Sequence, residues 1–177
     1  DGWILYPTHS VHDGGVFDVL PADIPSAVEE WKRLTSGADK APEEDPVKKI
    51  NRDLIGMKIP GFFQTPEPLV EVMLNLANIQ KGMRVLEPSA GAGAIARALR
   101  SRGAELVCFE YNYMLAKLLE AQNISATRGD FLTALPGQLP IDAVVMNPPF
   151  EKGQDTEHVQ HAYHWLKPGG GVLVSIM

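Results

Sequence analysis

Cysteine, basic residues and long apolar runs are what this chain is short of. Its 177 residues hold one cysteine, Cys108, so an internal disulfide and a cysteine-based zinc cluster are both excluded. The setting of that residue, Leu106-Val107-Cys108-Phe109, is that of a small buried apolar side chain. No apolar stretch approaches the roughly 20 residues of a membrane-crossing helix, and nothing near Asp1 resembles a signal peptide, so no membrane partner is expected. The expected location is the cytoplasm of a bacterial or phage-infected cell. The chain has no internal repeat. Its 16 Lys and Arg against 22 Asp and Glu leave a formal net charge of −6. That balance argues against a free-standing nucleic-acid binder, because neutralising phosphates takes clustered Lys and Arg. It does not argue against an enzyme that grips nucleic acid through a separate domain.

What is present, 45% hydrophobic and 21% charged residues, is an ordinary globular composition with enough chain for one full domain, or one domain and an arm. Two strand-like runs, Trp3-Ile4-Leu5-Tyr6 and Val16-Phe17-Asp18-Val19-Leu20, flank Asp13-Gly14-Gly15 and suggest a hairpin or an edge addition. Ser26 and Glu29 match a capping box, with Val28, Trp31 and Leu34 at helical spacing and Gly37 as a stop, which predicts a helix over 26–36. From Ser36 to Pro46 the composition turns to Gly, Asp, Lys, Pro and Glu, so residues 1–47 read as an extension and linker ahead of a main domain at 48–177. Lys48, Lys49, Arg52 and Lys58 form a loosely basic stretch that fits a solvated helix face as well as phosphate contacts.

From there the chain alternates. Thr65 and Pro66 fit the N-cap and first residue of a helix with Leu69, Val70, Met73, Leu74 and Leu76 on its apolar face. Strand-like runs fall near 83–87, 105–110, 124–127, 141–147 and 172–177, with helical patterns at 92–102, 112–122 and 156–166 between most of them. That rhythm means βαβ units, an α/β fold with a doubly wound, Rossmann-like and mostly parallel sheet.

Two loops carry the chemistry. The run Ile141 to Met146 ends in Asn147-Pro148-Pro149-Phe150, and since proline gives no N–H to a ladder, this is a strand that stops abruptly at a ligand-bearing rim. An amide, two rigid prolines and a ring there suit holding a flat nitrogenous group. The amide and proline carbonyls accept its two amine hydrogens while the ring stacks on it. Against this stands a plain turn, which Asn-Pro often initiates. Earlier, Met83 to Glu87 leads into Pro88-Ser89-Ala90-Gly91-Ala92-Gly93-Ala94-Ile95-Ala96, where Gly91, Gly93 and Ala96 meet the G-x-G-x-x-G/A spacing. Glycine is expected there because backbone and ligand approach too closely for a Cβ. The spacing alone suits a nicotinamide or flavin site equally well. Glu110 closes the second strand at the distance of a ribose-hydroxyl acceptor, and Asp130 follows the third. Glu87, just ahead of the glycines, would repel a pyrophosphate and suits a cofactor with a positive end. S-adenosylmethionine, with its amino group and sulfonium, is such a molecule.

With these residues assembled, the stretch from about Phe62 onward resembles the class I S-adenosylmethionine-dependent methyltransferases, and among them the adenine-specific, amino-methylating enzymes of DNA with an Asn-Pro-Pro-Phe motif. Phe62-Phe63-Gln64-Thr65-Pro66 is similar to the segment that packs near the methionine part of the cofactor, which implicates Phe63 and Thr65. Glu87-Pro88-Ser89-Ala90-Gly91-Ala92-Gly93 resembles the cofactor loop. Glu110, followed by Tyr111, resembles the ribose acceptor, and Asp130-Phe131 the pair at the adenine ring. Asn147, Pro148, Pro149 and Phe150 resemble the catalytic tetrapeptide, with Asn147 also beside the cofactor. The resemblance implies a flipped-out adenine stacked on Phe150, its amine held by Asn147 and the Pro148 carbonyl, with catalysis by positioning and electrostatics and without metal or covalent enzyme intermediate. The implied partner is nucleic acid, DNA first. RNA bases, a protein glutamine amide, and a silent cofactor-binding module are the competing readings, and nothing sets the oligomeric state. The chain ends at Met177 inside the expected fifth strand, whereas the family's sheet usually continues with two more. His158, His161 and His164 recur every three residues on one predicted helix. Such a row drifts around the cylinder and suits surface or capping roles better than metal.

Overall fold

The computed structural model describes residues 24–35, 44–55, 59 and 62–177. The strand-like runs at 3–6 and 16–20, Gly37, Lys58 and most of the 36–46 stretch lie outside them. The chain divides after Glu44 into two units. In the first, helix α1 spans Ile24–Thr35. It starts two residues earlier than the capping-box pattern predicts, with Pro25 in the first turn, where a missing N–H costs nothing. Ser26 lies inside the helix and is no N-cap.

The second unit, Asp45–Met177, carries everything else. Helix α2 (Pro46–Leu54) opens on Asp45, whose carboxylate accepts from the Val47 N–H at 2.9 Å, with proline at the first helical position. Lys48, Lys49 and Arg52 fall on this helix and are exposed. Then come α3 (Glu67–Leu76), β1 (Arg84–Glu87), α4 (Ala94–Ser101), β2 (Glu105–Glu110), α5 (Tyr113–Ala121), β3 (Ala126–Arg128), β4 (Ala143–Met146), α6 (Gln154–Tyr163) and β5 (Val172–Ser175). The five strands form one sheet in the order β3-β2-β1-β4-β5, and every pairing is parallel. The α/β expectation holds in full, and β5 ends at Ser175, ahead of Met177. The N-cap of α3 differs from expectation. Pro66 takes that position without a side-chain cap, and Thr65 is turned inward and buried.

Alternation along each strand puts apolar side chains on both faces, as a sheet covered on two sides requires. Val85, Ala143 and Val145 meet Val70, Met73 and Leu74 of α3 and Ile95 and Leu99 of α4 on one face. Leu86, Phe109, Val144 and Met146 meet Phe131, Ala162 and Trp165 on the other. At about 1.5–3 kcal/mol for each fully buried side chain, these two layers hold the crossovers in place. The strand order reverses direction between β1 and β4, so the loops that leave these two strands diverge and open a crevice at the carboxyl ends.

The opposite, amino-terminal end is closed by Asp142. Its Oδ2 accepts from the Arg84 N–H at 2.8 Å and its Oδ1 from Lys167 Nζ at 2.7 Å, joining β1, β4 and the approach to β5. The Lys167 side chain, with the Arg84 N–H, holds this carboxyl below the ordinary aspartate range. The folded pKa is depressed, so the contribution is present above the unfolded value near 4 and is lost as pH falls through the folded one. Replacing Asp142 by alanine is expected to lower stability by about 1–2 kcal/mol at neutral pH, read as a shift in urea midpoint that shrinks below pH 4.

Candidate active site

The crevice holds a cavity of about 460 Å³, within the usual size of a cofactor pocket. Four strand-end loops, those after β1, β2, β3 and β4, and the Phe62–Thr65 segment wall it. The loop after β1 needs two left-handed residues, Gly91 (φ +55°) and Gly93 (φ +82°), to turn from strand to helix. The Gly91 N–H donates to Glu110 Oε2 and the Asn112 N–H to Glu110 Oε1, each at 2.7 Å, so one carboxylate ties the first loop to the second. Asn112 in turn caps α5, accepting from the N–H groups of Met114 and Leu115.

The glycines also clear the protein's own side chains. A Cβ at Gly91 would come 2.8 Å from the Phe62 ring. One at Gly93 would come 2.9 Å from Leu119 and 3.1 Å from Ile124, in the layer between α4 and α5. Gly93 lies off the cavity wall, as do Pro148, which is buried, and Phe150. The other residues singled out in the sequence, Phe63, Thr65, Glu87, Pro88, Ser89, Ala90, Gly91, Glu110, Tyr111, Asp130, Phe131, Asn147 and Pro149, all line it.

Glu87 is 1% exposed, and its Oε2 has no hydrogen-bond partner. Burial, and then the negative charge of Glu110, push its carboxyl well above the usual range against the weaker pull of Arg97 and the Ala96 N–H. Glu110 is raised by burial as well, although backbone N–H groups, including those of Asn112 and Gly91, oppose the shift. Two desolvated acids at one end of the cavity ask for a cation and would repel a phosphate.

The loop after β4 is fixed through Asn147. Its Nδ2 donates to the Phe63 carbonyl at 3.1 Å and to Thr65 Oγ1 at 3.0 Å. Its Oδ1 is buried without a partner. Phe150 stands with its ring centroid 6.0 Å from that of Phe63, tilted by 59°, and both rings are partly exposed. On the third side, Asp130 caps the 3₁₀ turn Phe131–Thr133 by accepting from the Leu132 N–H at 2.9 Å. Phe131 is 2% exposed and packs against Phe109, Trp165, His158 and His161. Tyr111 is 80% exposed at the rim.

The histidine row departs from the surface roles expected of it. His158 is buried and lines the cavity, with its Nδ1 2.8 Å from the Gln154 carbonyl. The Nε2 of His161 lies 2.8 Å from the Ala134 carbonyl, and only His164 is exposed. Among the described residues, no group of three or more His, Cys, Asp or Glu is placed to hold a metal. Asn112, Leu132, Gln154 and His158 are lining residues that the motifs do not mark. The spacing of His158 with Val159 and Ala162, an inward face of α6, is the signal that would have found it.

A five-stranded parallel sheet in this order, flanked by helices on both faces, with an acid-lined crevice at its switch point, is the Rossmann-like fold of class I methyltransferases. Residues 64–177 match a family model described as a methyltransferase domain, and the chain belongs to that family. Its cofactor is S-adenosylmethionine. The unpartnered Glu87 Oε2 in the cavity wall is an acid oxygen of the kind that fits that molecule's cationic end. Among solved structures, an RNA methyltransferase from Salinibacter ruber in complex with S-adenosyl-L-homocysteine aligns with TM-score 0.53 and 25% identity, over 64% of this chain and 76% of that one. TrmN from Thermus thermophilus aligns with TM-score 0.52 and 23% identity, over 73% of this chain and 42% of its own length. A type I restriction-modification methyltransferase subunit from Streptococcus thermophilus aligns with TM-score 0.54 and 18% identity, over 64% and 34%. No curated protein matches the chain by sequence. No helix is long and apolar enough, among the described residues, to cross a membrane.

The raised carboxyl of Glu87 has a consequence for the ligand-free chain. A folded pKa above the unfolded one means that stability is highest below the unfolded value and falls as pH rises through the folded one. Glu87→Gln is therefore expected to raise the urea midpoint at pH 8 without ligand, with the gain over the parent chain vanishing by pH 4.

Proposed function

We propose that this chain transfers the methyl group of S-adenosylmethionine to the exocyclic amine of adenine in DNA. The observation that carries this reading is the state of the Asn147 amide. A carbonyl can only accept, so the Phe63 carbonyl fixes the Nδ2 side of the amide and leaves Oδ1 as an acceptor. That oxygen is buried and unpartnered, which costs about 1–3 kcal/mol until an N–H donor arrives. An amine on a flat ring brings two such donors, one for Oδ1 and one for the Pro148 carbonyl. Holding both hydrogens draws the nitrogen lone pair out of conjugation with the ring. The tilted Phe63–Phe150 pair offers the faces on which the base is held.

The rest of the wall serves the cofactor in this reading. Glu87 takes the cationic amino-acid end. Glu110 uses the lone pairs left over from its two backbone bonds for the ribose hydroxyls. Tyr111, Asp130, Phe131 and Pro149 enclose the adenine end, while Pro88, Ser89, Ala90 and Gly91 give the backbone path between. Gly93 acts indirectly, by seating α4 on α5. Bound S-adenosylmethionine supplies a methyl carbon activated by its sulfonium, and the side chains set the line of attack on it.

The same loop would take a base amine in RNA. The likeness to the Salinibacter ruber RNA methyltransferase supports that second reading, as the restriction-modification subunit supports the first.

Incubation with methyl-labelled cofactor and matched unmethylated DNA and RNA, followed by nucleoside analysis, separates the two. Label in N6-methyladenine of DNA supports the first reading and label in RNA alone the second, while label in neither overturns both. Asn147→Ala should cut transfer by on the order of 10²-fold or more with S-adenosylhomocysteine affinity nearly unchanged. Equal loss of both would count against its role. Thr65→Val should lower kcat roughly tenfold at unchanged KM, and Thr65→Ser should restore it. For Glu87→Gln, calorimetry should show S-adenosylhomocysteine binding about tenfold weaker, one charge-assisted contact being worth that much.

A further inference from the structure

The wall of the cavity contains an imidazole that no motif claims. His158 is 6% exposed on α6, and its ring packs 5.7 Å from that of Phe131. Its Nδ1 lies 2.8 Å from the carbonyl of Gln154, one helical turn back. A carbonyl offers only lone pairs, so Nδ1 must carry the proton and Nε2 of the neutral ring must be an acceptor. Nε2, on the ring edge away from that carbonyl, has no hydrogen-bond partner among the described residues. Burial also lowers the readiness of the ring to protonate, outweighing the pull of the Gln154 carbonyl and of Asp130.

Asp130 lines the same cavity, and its charge acts on the His158 ring. One of its oxygens is engaged by the Leu132 N–H and the other remains open. The carboxylate and the imidazole thus present two lone-pair acceptors around the buried ring of Phe131. An amino group, with two hydrogens and no available lone pair when conjugated to a purine, satisfies both. A carbonyl oxygen would face both with lone pairs of its own and satisfy neither.

We propose that His158 is a cofactor-binding residue whose Nε2 accepts a hydrogen bond from the exocyclic amine of the cofactor's adenine, and that with Asp130 it selects an adenosyl over an inosyl cofactor. This rests on the placement of the adenine end at Asp130 and Phe131 given above. Leu115, Leu132 and Pro149 supply apolar contact for any purine, and the two acceptors read which purine it is.

The test is calorimetric titration of the full chain with S-adenosyl-L-homocysteine and with S-inosyl-L-homocysteine, in which a carbonyl replaces the amine and N1 carries a proton. The unaltered chain should bind the adenosyl form on the order of tenfold or more tightly. His158→Phe, which keeps a ring against Phe131 and removes the acceptor, should lose most of that preference by weakening adenosyl binding alone. Equal binding of the two nucleosides by the unaltered chain overturns the proposal, with no variant needed. So does a folded His158→Phe chain, judged by its thermal melt, that keeps the full preference. Failure of the unaltered chain to bind S-adenosylhomocysteine would bring down the placement of the cofactor and the proposal with it, a result distinct from either of these.

Discussion

The carboxylate of Glu110 is the tie on which the site depends. One side chain at the end of β2 takes the N–H of Gly91 from the first loop and the N–H of Asn112 from its own. It adds to the bond that the Ala90 N–H of the first loop makes with the Phe109 carbonyl of β2 at 2.9 Å. The arrangement carries a cost, because Glu110 is desolvated and close enough to Glu87 to raise that group's pKa. Two backbone N–H donors on one carboxylate offset much of the desolvation. Glu87 has no comparable help. Glu87 is the acid the fold leaves unsatisfied, while the well-bonded acid holds the frame.

The fold was legible because its signals are periodic. Alternating runs around 83–87, 105–110 and 141–147, with helical spacing between, predict a parallel sheet, and apolar residues on both faces of each strand confirm why. The cavity wall was legible where rare residue types stand at a bend, as at Asn147 and Glu87, which both line it. It was illegible where partners come from tertiary packing. The Gly93 position reads from sequence as ligand clearance, yet its neighbours are Leu119 and Ile124, which only the seating of α4 on α5 brings near. Thr65 reads as a helix cap because hydroxyls ahead of a proline often are. The buried amide of Asn147 competes for that hydroxyl and wins. His158 and His161 read as surface residues because polar neighbours dominate α6, and the ring of Phe131, which they enclose, is far off in sequence.

The two ends of the sheet divide the labour. At the amino end Asp142 has its donors supplied by Arg84 and Lys167, and nothing is left open. At the carboxyl end, Glu87 Oε2 and Asn147 Oδ1 are buried and unmatched.

The bonds that hold the Asn147 amide also span most of the domain, since Phe63 and Thr65 precede it by 84 and 82 residues. No local turn or hairpin can form them. Closure over so long a separation waits until β4 has docked beside β1, and parallel pairing of this kind is slow because the entropy of the intervening chain must be overcome first. The amide is therefore oriented at the end of folding rather than at its start. A partly assembled chain, even one with the loop after β1 formed, would lack an oriented Asn147 amide, which is set only once β4 lies beside β1.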